Sequence, residues 1–585
     1  MRLNSATCLL ALLLAGLFSC AFATSSNYGA CKPLPPARHP IPFYPHGSHG
    51  PAHSCPPTDH NAPQLLRVSL GSSGQFVDEF GRIRIFHGLN VDSKTLPYNN
   101  EPNVLNSSFI ETLAYDYGFN VMRLDFAMVM AMPAFGVDNT TYYSLYANTT
   151  NQFAAVGMWT IVDVHQDEVM PCICGEGLPD WLLTIPLADV GSFPYPAYNT
   201  TYPLDPTRPL GCVDQSFCEP DSSGTPRNNG QYYFSEVTQQ ALLSIYTNVN
   251  TSYGIGAGDA MVQQWTNIAA MTAGNPNYLA IELFNEPFPP VNDDPASFIS
   301  AQYGDVVYLA PMYDAGAAGI RSQDSEILIM VEPLVTNGEI VPRPAGFLWT
   351  PAGDNQTVLS FHTYCDVIDY YCTDDSCVDQ TDLEYCFFVS EYFPEYLDDC
   401  NAILADPLAY CNSFYNQSFA VRAADAASLG QGLFDTEFGS WTGNDTYDIE
   451  INQLVANLAD QYGVSWAKWD NNDLDQRPAL IPVLVRTYAQ AIAAVAGSSF
   501  SQQFNPDSKL YSLVFSPDYL IQAPTEIFVP PMHYPYGFNV QISPVGALRW
   551  SQPHGSNTLQ LTAGPRGRQS ASVTVTIIAK LDPHC

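Results

Sequence analysis

The sequence is short of positive charge. Its 585 residues hold 21 lysines and arginines against 58 aspartates and glutamates, a formal net charge of −37. Such an excess repels phosphate backbones and anionic headgroups, so nucleic acid is excluded as a partner, whereas a neutral ligand such as a sugar is permitted. A well-solvated surface is enough to account for the acidity. Long apolar runs are scarce as well: beyond residue 22 none is long enough to span a bilayer. Metal-ligand spacing is missing. Cys172-x-Cys174 is not zinc-knuckle spacing, and no His pair stands near it to complete a tetrahedral site. Nothing calls for a metal or an organic cofactor, and there is little sign of internal repeats.

What is present begins with an address. Arg2 precedes an apolar run from Cys8 to Phe22, and Ala21-Phe22-Ala23 matches a small-x-small cleavage site, so residues 1–23 read as a signal peptide. N-x-[ST] acceptors follow at Asn106, Asn139, Asn148, Asn199, Asn250, Asn355, Asn416 and Asn444. Of 15 cysteines, two lie in the leader, and the other 13 are expected to form disulfides in an oxidising compartment, with one left over. The chain is expected outside the cell or in an acidic lumen of the secretory route, as a monomer.

Residues 24–65 are rich in Pro, His, Gly and Ser and read as an irregular lead-in. From 66 to 500 short β-rich runs alternate with helical stretches, which argues for a parallel sheet with crossover helices. Eight runs are present: Ile83–Asn90, Asn120–Phe126, Trp159–His165, Tyr278–Asn285, Ile327–Glu332, Thr357–Tyr364, Gly432–Phe438 and Gly463–Asp470. Almost every one ends in a polar or charged residue. An open sheet gathers such residues at one crevice, whereas a closed (β/α)₈ TIM barrel brings all its strand ends to one face. The barrel is the expected fold. Residues 501–585 carry short β-runs separated by Pro, Gly and Asn, the pattern of a small C-terminal antiparallel β-sandwich.

Two of the strand-end residues carry acetal chemistry between them. Glu286 follows Asn285 at the end of the fourth run, and Glu437 lies at the end of the seventh. Strands four and seven face each other across a barrel mouth, so both carboxyls can reach one glycosidic bond. Cleavage with retention needs one to protonate the leaving oxygen and the other to attack the anomeric carbon, about 5 Å apart. The bland alternative is a pair of barrel-mouth carboxylates in a polar network. A different pair, using Glu332 of the fifth run, is weaker because Glu332 lacks the Asn neighbour.

The ordered motifs resemble glycoside hydrolase family 5, and within it the endoglycoceramidase and glucosylceramidase-like members. FVDEFGRIRIFHGLNV, the Lys94–Tyr98 segment, the Arg of NVMRLDF, DVHQD, PNYLAIELFNEPF, SFHTYC, DTEFGSW, WAKWD and TEIFVPPMHYPYGFNV all carry the likeness, over residues 66–585. The resemblance implies that Glu286 is the acid/base and Glu437 the nucleophile. Arg123 would keep Glu437 ionised, Tyr364 would donate to it, and His362 would orient the site. Asn285 would bind the sugar 2-hydroxyl. His165, Asp167 and Lys94 would bind neighbouring hydroxyls, and Trp469 would form an apolar floor. His165 and Trp469 have ordinary core roles as alternatives.

The substrate implied is a glycosphingolipid or another β-glucoside, cleaved between the sugar and ceramide in the leading reading. Alternatives are a secreted β-glucanase or β-glucosidase, steryl glucosidase included, and a carbohydrate-binding protein without turnover. One stretch departs from the family: DFAMVMAMPAFG (Asp125–Gly136) is rich in Met. Flexible Met side chains suit an adaptable apolar surface, so this loop is expected either to touch a lipid aglycone or to pack under the long insertion after the third run. The lipid reading brings with it transient contact with lipid surfaces.

Overall fold

The structure is a computed structural model that describes residues 65–94, 106–183, 233, 236–291, 293–335, 349–351, 354–365, 406–440, 445–567 and 571–581. The expected signal peptide, residues 24–64 of the expected lead-in, and the acceptors Asn199 and Asn444 lie outside them.

Three short strands open the described chain: β1 (Val68–Leu70), β2 (Phe76–Asp78) and β3 (Ile83–Arg84). Eight parallel strands then close into a barrel: β4 (His87–Val91), β5 (Val121–Asp125), β6 (Trp159–Asp163), β7 (Tyr278–Glu282), β8 (Leu328–Val331), β9 (Thr357–Thr363), β10 (Gly432–Phe438) and β11 (Ser465–Lys468). β11 pairs with β4 through Trp466 and His87, which completes the ring. These strands are buried almost throughout, as they must be when one face lines the barrel and the other lies under helices. Phe86, Trp159, Ile161, Met330 and Phe434 belong to one cluster that also takes in Phe76 of β2. Gly88 is needed on β4: a Cβ there would lie 2.0 Å from the Val121 carbonyl oxygen.

Helices connect the strands. α1 (Thr140–Ala155) leads to β6, α2 (Glu236–Tyr246) and α3 (Ala257–Thr272) to β7, α4 (Ala310–Arg321) to β8, α5 (Pro407–Leu429) to β10 and α6 (Asp445–Tyr462) to β11. Asn139 and Asp406 cap α1 and α5 by accepting from the Tyr142 and Ala409 N–H groups. No helix among the described residues is long and apolar enough to cross a membrane.

The remaining strands are β12 (Tyr488–Ile492), β13 (Ser501–Asn505), β14 (Leu510–Phe515), β15 (Thr525–Phe528), β16 (Phe538–Ser543), β17 (Leu548–Ser551), β18 (Thr558–Ala563) and β19 (Val573–Ala579). They form two antiparallel sheets, ordered β1-β2-β3-β12-β15-β18-β17 and β13-β14-β19-β16. Ile527, Leu559 and Leu561 of the first meet Leu513, Val575 and Ile577 of the second in one buried core.

Two expected boundaries shift. The run Ile83–Asn90 breaks in two, because Ile83 and Arg84 pair with β12 while the barrel strand starts at His87. The C-terminal sandwich does not begin at 501: Tyr488–Ile492 already belongs to it, and the N-terminal hairpin completes its larger sheet. A buried charge network ties these pieces together. Asp78 accepts from Arg82 Nε at 2.9 Å and Arg84 Nε at 2.8 Å, and Glu526 of β15 lies 3.2 Å from Arg82 Nη1.

Candidate active site

The barrel strands deliver their last side chains to one face, and there the candidate residues meet. Arg123 projects from β5 and is completely buried. A buried guanidinium has five N–H donors to satisfy, and here four residues take them. Nη1 donates to Glu437 Oε1 at 2.5 Å and to Asn90 Oδ1 at 2.9 Å, Nε to Glu282 Oε2 at 2.5 Å, and Nη2 to Asn285 Oδ1 at 2.8 Å. Asp163 Oδ1 stands 3.1 Å from Nη2. Burial disfavours the charged guanidinium, but Asp163, Glu282 and Glu437 together raise its pKa well above the usual value. The same pairing acts on Glu282: burial would raise its pKa, and Arg123 brings it below the ordinary value instead.

Glu437 is held from a second side, since Tyr364 Oη donates to Oε2 at 3.0 Å. Across the mouth, Glu286 Oε1 lies 2.8 Å from His362 Nδ1, which is 3.7 Å from Glu437 Oε2. One carboxyl oxygen of Glu286 and one of Glu437 are within 4.8 Å of each other. That separation fits a bond cleaved with retention and leaves no room for the intervening water that inversion requires.

The two carboxyls live in different surroundings. Glu286 is a quarter exposed and Glu437 only 6 % exposed. Burial, with the charge of Asp167 added, pushes the Glu286 carboxyl up to about 7. His362 is fully enclosed, and burial pulls its imidazole down to about 4, so the ring is neutral near neutral pH. Glu286 also has a left-handed backbone, with φ of +44°. For a non-glycine residue this costs about 1–3 kcal/mol and persists only where neighbours enforce it. Gln166 is one such neighbour: its amide donates to the Asn285 and Glu286 carbonyls at 2.7 and 3.2 Å.

A second group adjoins the carboxylate pair. His165 Nδ1 is 2.6 Å from Asp163 Oδ2, and its ring stacks on Trp469 with centroids 5.6 Å apart. Lys94 Nζ lies 4.2 Å above the Trp469 ring and 2.5 Å from Asp167 Oδ2. Asp167 is held well below the usual carboxylate range: burial works against this, but Lys94 and His165 overcome it. For His165, burial is likewise outweighed by Asp125 and Asp163, and its pKa rises well above that of a free imidazole. Lys94, Asp167, Trp469, Tyr364 and Glu286 keep partial exposure, so this side of the cluster is open to a ligand. Glu176 comes close because Gly177 permits it: φ there is +92°, and a Cβ would meet the His165 carbonyl at 2.1 Å.

All ten residues picked from the sequence thus sit in one connected cluster, His165 meeting Asn285 at 3.4 Å. Several partners escaped sequence reasoning, chiefly Asp125, Asp163, Gln166, Glu176 and Glu282. Asp163 and Glu282 did leave a signal, as acids inside otherwise apolar strands that have to face a buried cation. Glu332 does not join the reacting pair. It is completely buried, and its Oε2 accepts from the Glu286 N–H at 3.0 Å. The Met-rich stretch turns inward: Met128 and Met132 lie in the main core, and Trp181 Nε1 donates to the Met132 carbonyl. Met128 and Met132 thus follow the second of the two expectations, packing beneath the segment after β6, while Met130 keeps partial exposure. Phe135 remains exposed, stacked on Tyr253.

Residues 227–475 match the family described as cellulase (glycosyl hydrolase family 5), and residues 486–577 match the glycoside hydrolase family 5 C-terminal domain. The chain belongs to glycoside hydrolase family 5. It is an O-glycosyl hydrolase of that family. This family 5 chain is similar to an endoglycoceramidase of Cyanea nozakii, 27% identical over 90% of this chain and 96% of the relative, and to one of Hydra vulgaris, 26% identical over 82% and 86%. Its fold is that of endo-glycoceramidase II from a Rhodococcus species, with a TM-score of 0.61 at 20% identity, covering 89% of this chain and all of the other. The match to the C-terminal domain starts at 486, in keeping with β12 as its first strand after the barrel.

Proposed function

We propose that this family 5 enzyme hydrolyses the bond between a β-linked sugar and ceramide in glycosphingolipids, with Glu286 as acid/base and Glu437 as nucleophile. The approach of the two carboxyls to within 4.8 Å is the observation that carries the chemistry. The full-length likeness to endoglycoceramidases supports the substrate. In the first step a Glu437 oxygen bonds to the anomeric carbon as the glycosidic C–O bond breaks, and the Glu286 proton passes to the departing ceramide oxygen. In the second, Glu286 takes a proton from water, whose oxygen attacks the same carbon and releases Glu437. Arg123 and Tyr364 support the charge on Glu437 between turnovers. Asn285 is fixed through its side-chain oxygen by Arg123 and through its amide nitrogen by the Gln166 carbonyl at 3.1 Å, and in this reading it is the partner of the sugar 2-hydroxyl. Trp469 offers the ring floor, and Lys94, Asp167 and His165 the hydroxyl partners.

The test is incubation of purified protein with glucosylceramide, with a longer ganglioside, and with a soluble β-glucan as control. Intact oligosaccharide plus ceramide supports endo cleavage, and glucose from the short lipid alone supports exo cleavage. Product from the glucan only, or none at all, removes the lipid reading.

We further propose a secreted or lumenal glycoprotein that acts as a monomer and touches lipid surfaces transiently. Exposed acceptors at Asn106, Asn148, Asn250, Asn355 and Asn416 support glycosylation. Oxidised Cys172 and Cys174 and the Cys365–Cys411 disulfide support the compartment. Exposed Phe135, Val137 and Tyr253 support the lipid contact. A mass loss on enzymatic deglycosylation and a monomeric light-scattering mass are the expected outcomes.

A further inference from the structure

Glu332 directly follows β8 and is sealed from solvent, so it cannot touch a substrate. Burying a carboxylate beside other acids is unfavourable unless its oxygens are bound. Both of its oxygens face the machinery around Glu286. Oε2 accepts from the Glu286 backbone N–H at 3.0 Å, the N–H of the residue whose φ is +44°. Oε1 stands 3.5 Å from His362 Nδ1. Its own backbone is fixed in turn, since Tyr313 Oη donates to the Glu332 carbonyl at 3.0 Å.

The consequence for His362 is a defined tautomer. Three carboxyl oxygens surround Nδ1: Glu286 Oε1 at 2.8 Å, Glu332 Oε1 at 3.5 Å and Glu437 Oε2 at 3.7 Å. A neutral ring facing three acceptors carries its proton on that nitrogen. Nδ1–H then donates to Glu286 Oε1, which makes that oxygen an acceptor and leaves Oε2 to carry the proton that is transferred.

We propose that Glu332 is the positioning residue of the acid/base: it holds the left-handed Glu286 backbone and fixes the Nδ1–H tautomer of His362, so that Glu286 presents its proton from Oε2. This rests on the reading of Glu286 as acid/base. Glu332 acts on the reaction through Glu286 and His362, and its loss is therefore expected to damage proton donation.

Leaving-group dependence separates that role from a structural one, because a good leaving group departs with little help from an acid. The measurement is kcat/KM of the full chain on phenyl and 2,4-dinitrophenyl β-lactosides, for wild type, Glu332→Ala and Glu332→Gln, with melting temperatures alongside. For Glu332→Ala the phenyl substrate is expected to lose about 100-fold, the size of effect a small misplacement produces. The dinitrophenyl substrate is expected to stay within about threefold. Gln keeps an acceptor for the Glu286 N–H, and is expected to recover about tenfold of the phenyl loss. Should the Ala variant fail to fold, Glu332→Met, of similar length but without an acceptor, replaces it. Equal losses on both substrates, no loss on either, or a Gln variant no better than Ala or Met overturns the proposal. A wild-type enzyme inactive on both lactosides and on glycolipids would instead overturn the proposed function on which the inference rests.

Discussion

His362 Nδ1 stands between the two carboxyls, 2.8 Å from Glu286 Oε1 and 3.7 Å from Glu437 Oε2, where those residues approach within 4.8 Å. Only Glu437 also has Arg123 at 2.5 Å and Tyr364 at 3.0 Å. The asymmetry supports the proposal of Glu437 as nucleophile, and a substitution can check it. Glu437→Gln is expected to lower kcat by about 10⁶-fold, the size of loss that removing the nucleophile produces in a serine protease. Glu437→Gly with azide is expected to give a glycosyl azide of inverted configuration. Near-normal turnover by the Gln variant would remove Glu437 from that role.

Activity should depend on pH through Glu286. Burial, then the Asp167 charge, brings its carboxyl up to about 7. The acid form is the one needed for glycosylation, so kcat/KM is expected to hold below that pH and fall above it. Asp167→Asn removes the negative neighbour and is expected to move this basic limb to lower pH. A limb that stays in place would show that the limb belongs to another group.

Stability should follow acidity in the same direction. Burial raises Glu286 and Asp125 to about 7 and Glu176 to about 9, whereas carboxyls of the unfolded chain titrate near 4. Between those values the native state binds more protons than the unfolded one, so stability falls as pH rises. His165, raised by Asp125 and Asp163 against its burial, adds stability that is likewise lost on going to higher pH. His362 and His533, both pulled down to about 4 by burial, oppose this only once unfolded histidines begin to take up protons below about 6.5. Melting temperature is therefore expected to rise from pH 8 to pH 6.5 and then level off. A flat or inverted trend across the upper interval would contradict the assignment of these groups.

The barrel was legible because each strand announces its carboxyl end with a polar residue, and the polar residues that mark those ends are largely the ones that gather at the mouth. The reading faltered where burial is uniform. Ile83, Arg84, Phe86 and His87 are all enclosed, so no alternation marks the break between a sandwich strand and a barrel strand. β12 reads YAQAI, and alanine is a poor strand signal. Here it lies in a sheet whose burial comes from long-range pairing with β3 and β15. Glu332 appeared as a candidate catalyst because sequence places it at a strand end but cannot show that its oxygens are turned toward the Glu286 backbone.

Arg123 is the cation that Glu282, Asp163 and Glu437 share among the described residues. Arg123→Met keeps bulk and strands those carboxylates without a counter-charge. The expected cost is about 3–5 kcal/mol of stability, read from denaturant midpoints, together with loss of activity. Arg123→Lys is expected to rescue little of either, because one ammonium cannot reproduce the fork that reaches Asn90, Glu282, Asn285 and Glu437. A lysine variant with wild-type activity would show that charge alone suffices.

Two anchors hold Tyr364 in place. β9 ends one residue before it, and Cys365, one residue after, is bonded to Cys411 of α5 and donates its N–H to Tyr415 Oη at 3.0 Å. The disulfide closes a separation of 46 residues, for which chain entropy gives about 4 kcal/mol. Cys411→Ala should therefore lower the melting temperature, yet the Tyr415 hydrogen bond still fixes residue 365, so turnover well below the melting point should stay near wild type. Tyr364→Phe should do the opposite. It leaves the fold intact and removes a hydrogen bond to a charged carboxylate, worth about 1.5–3 kcal/mol, or about 10- to 100-fold in kcat/KM. If Cys411→Ala slowed turnover as much as Tyr364→Phe at a temperature where both are folded, the disulfide rather than the Tyr415 contact would be what holds the tyrosine against Glu437.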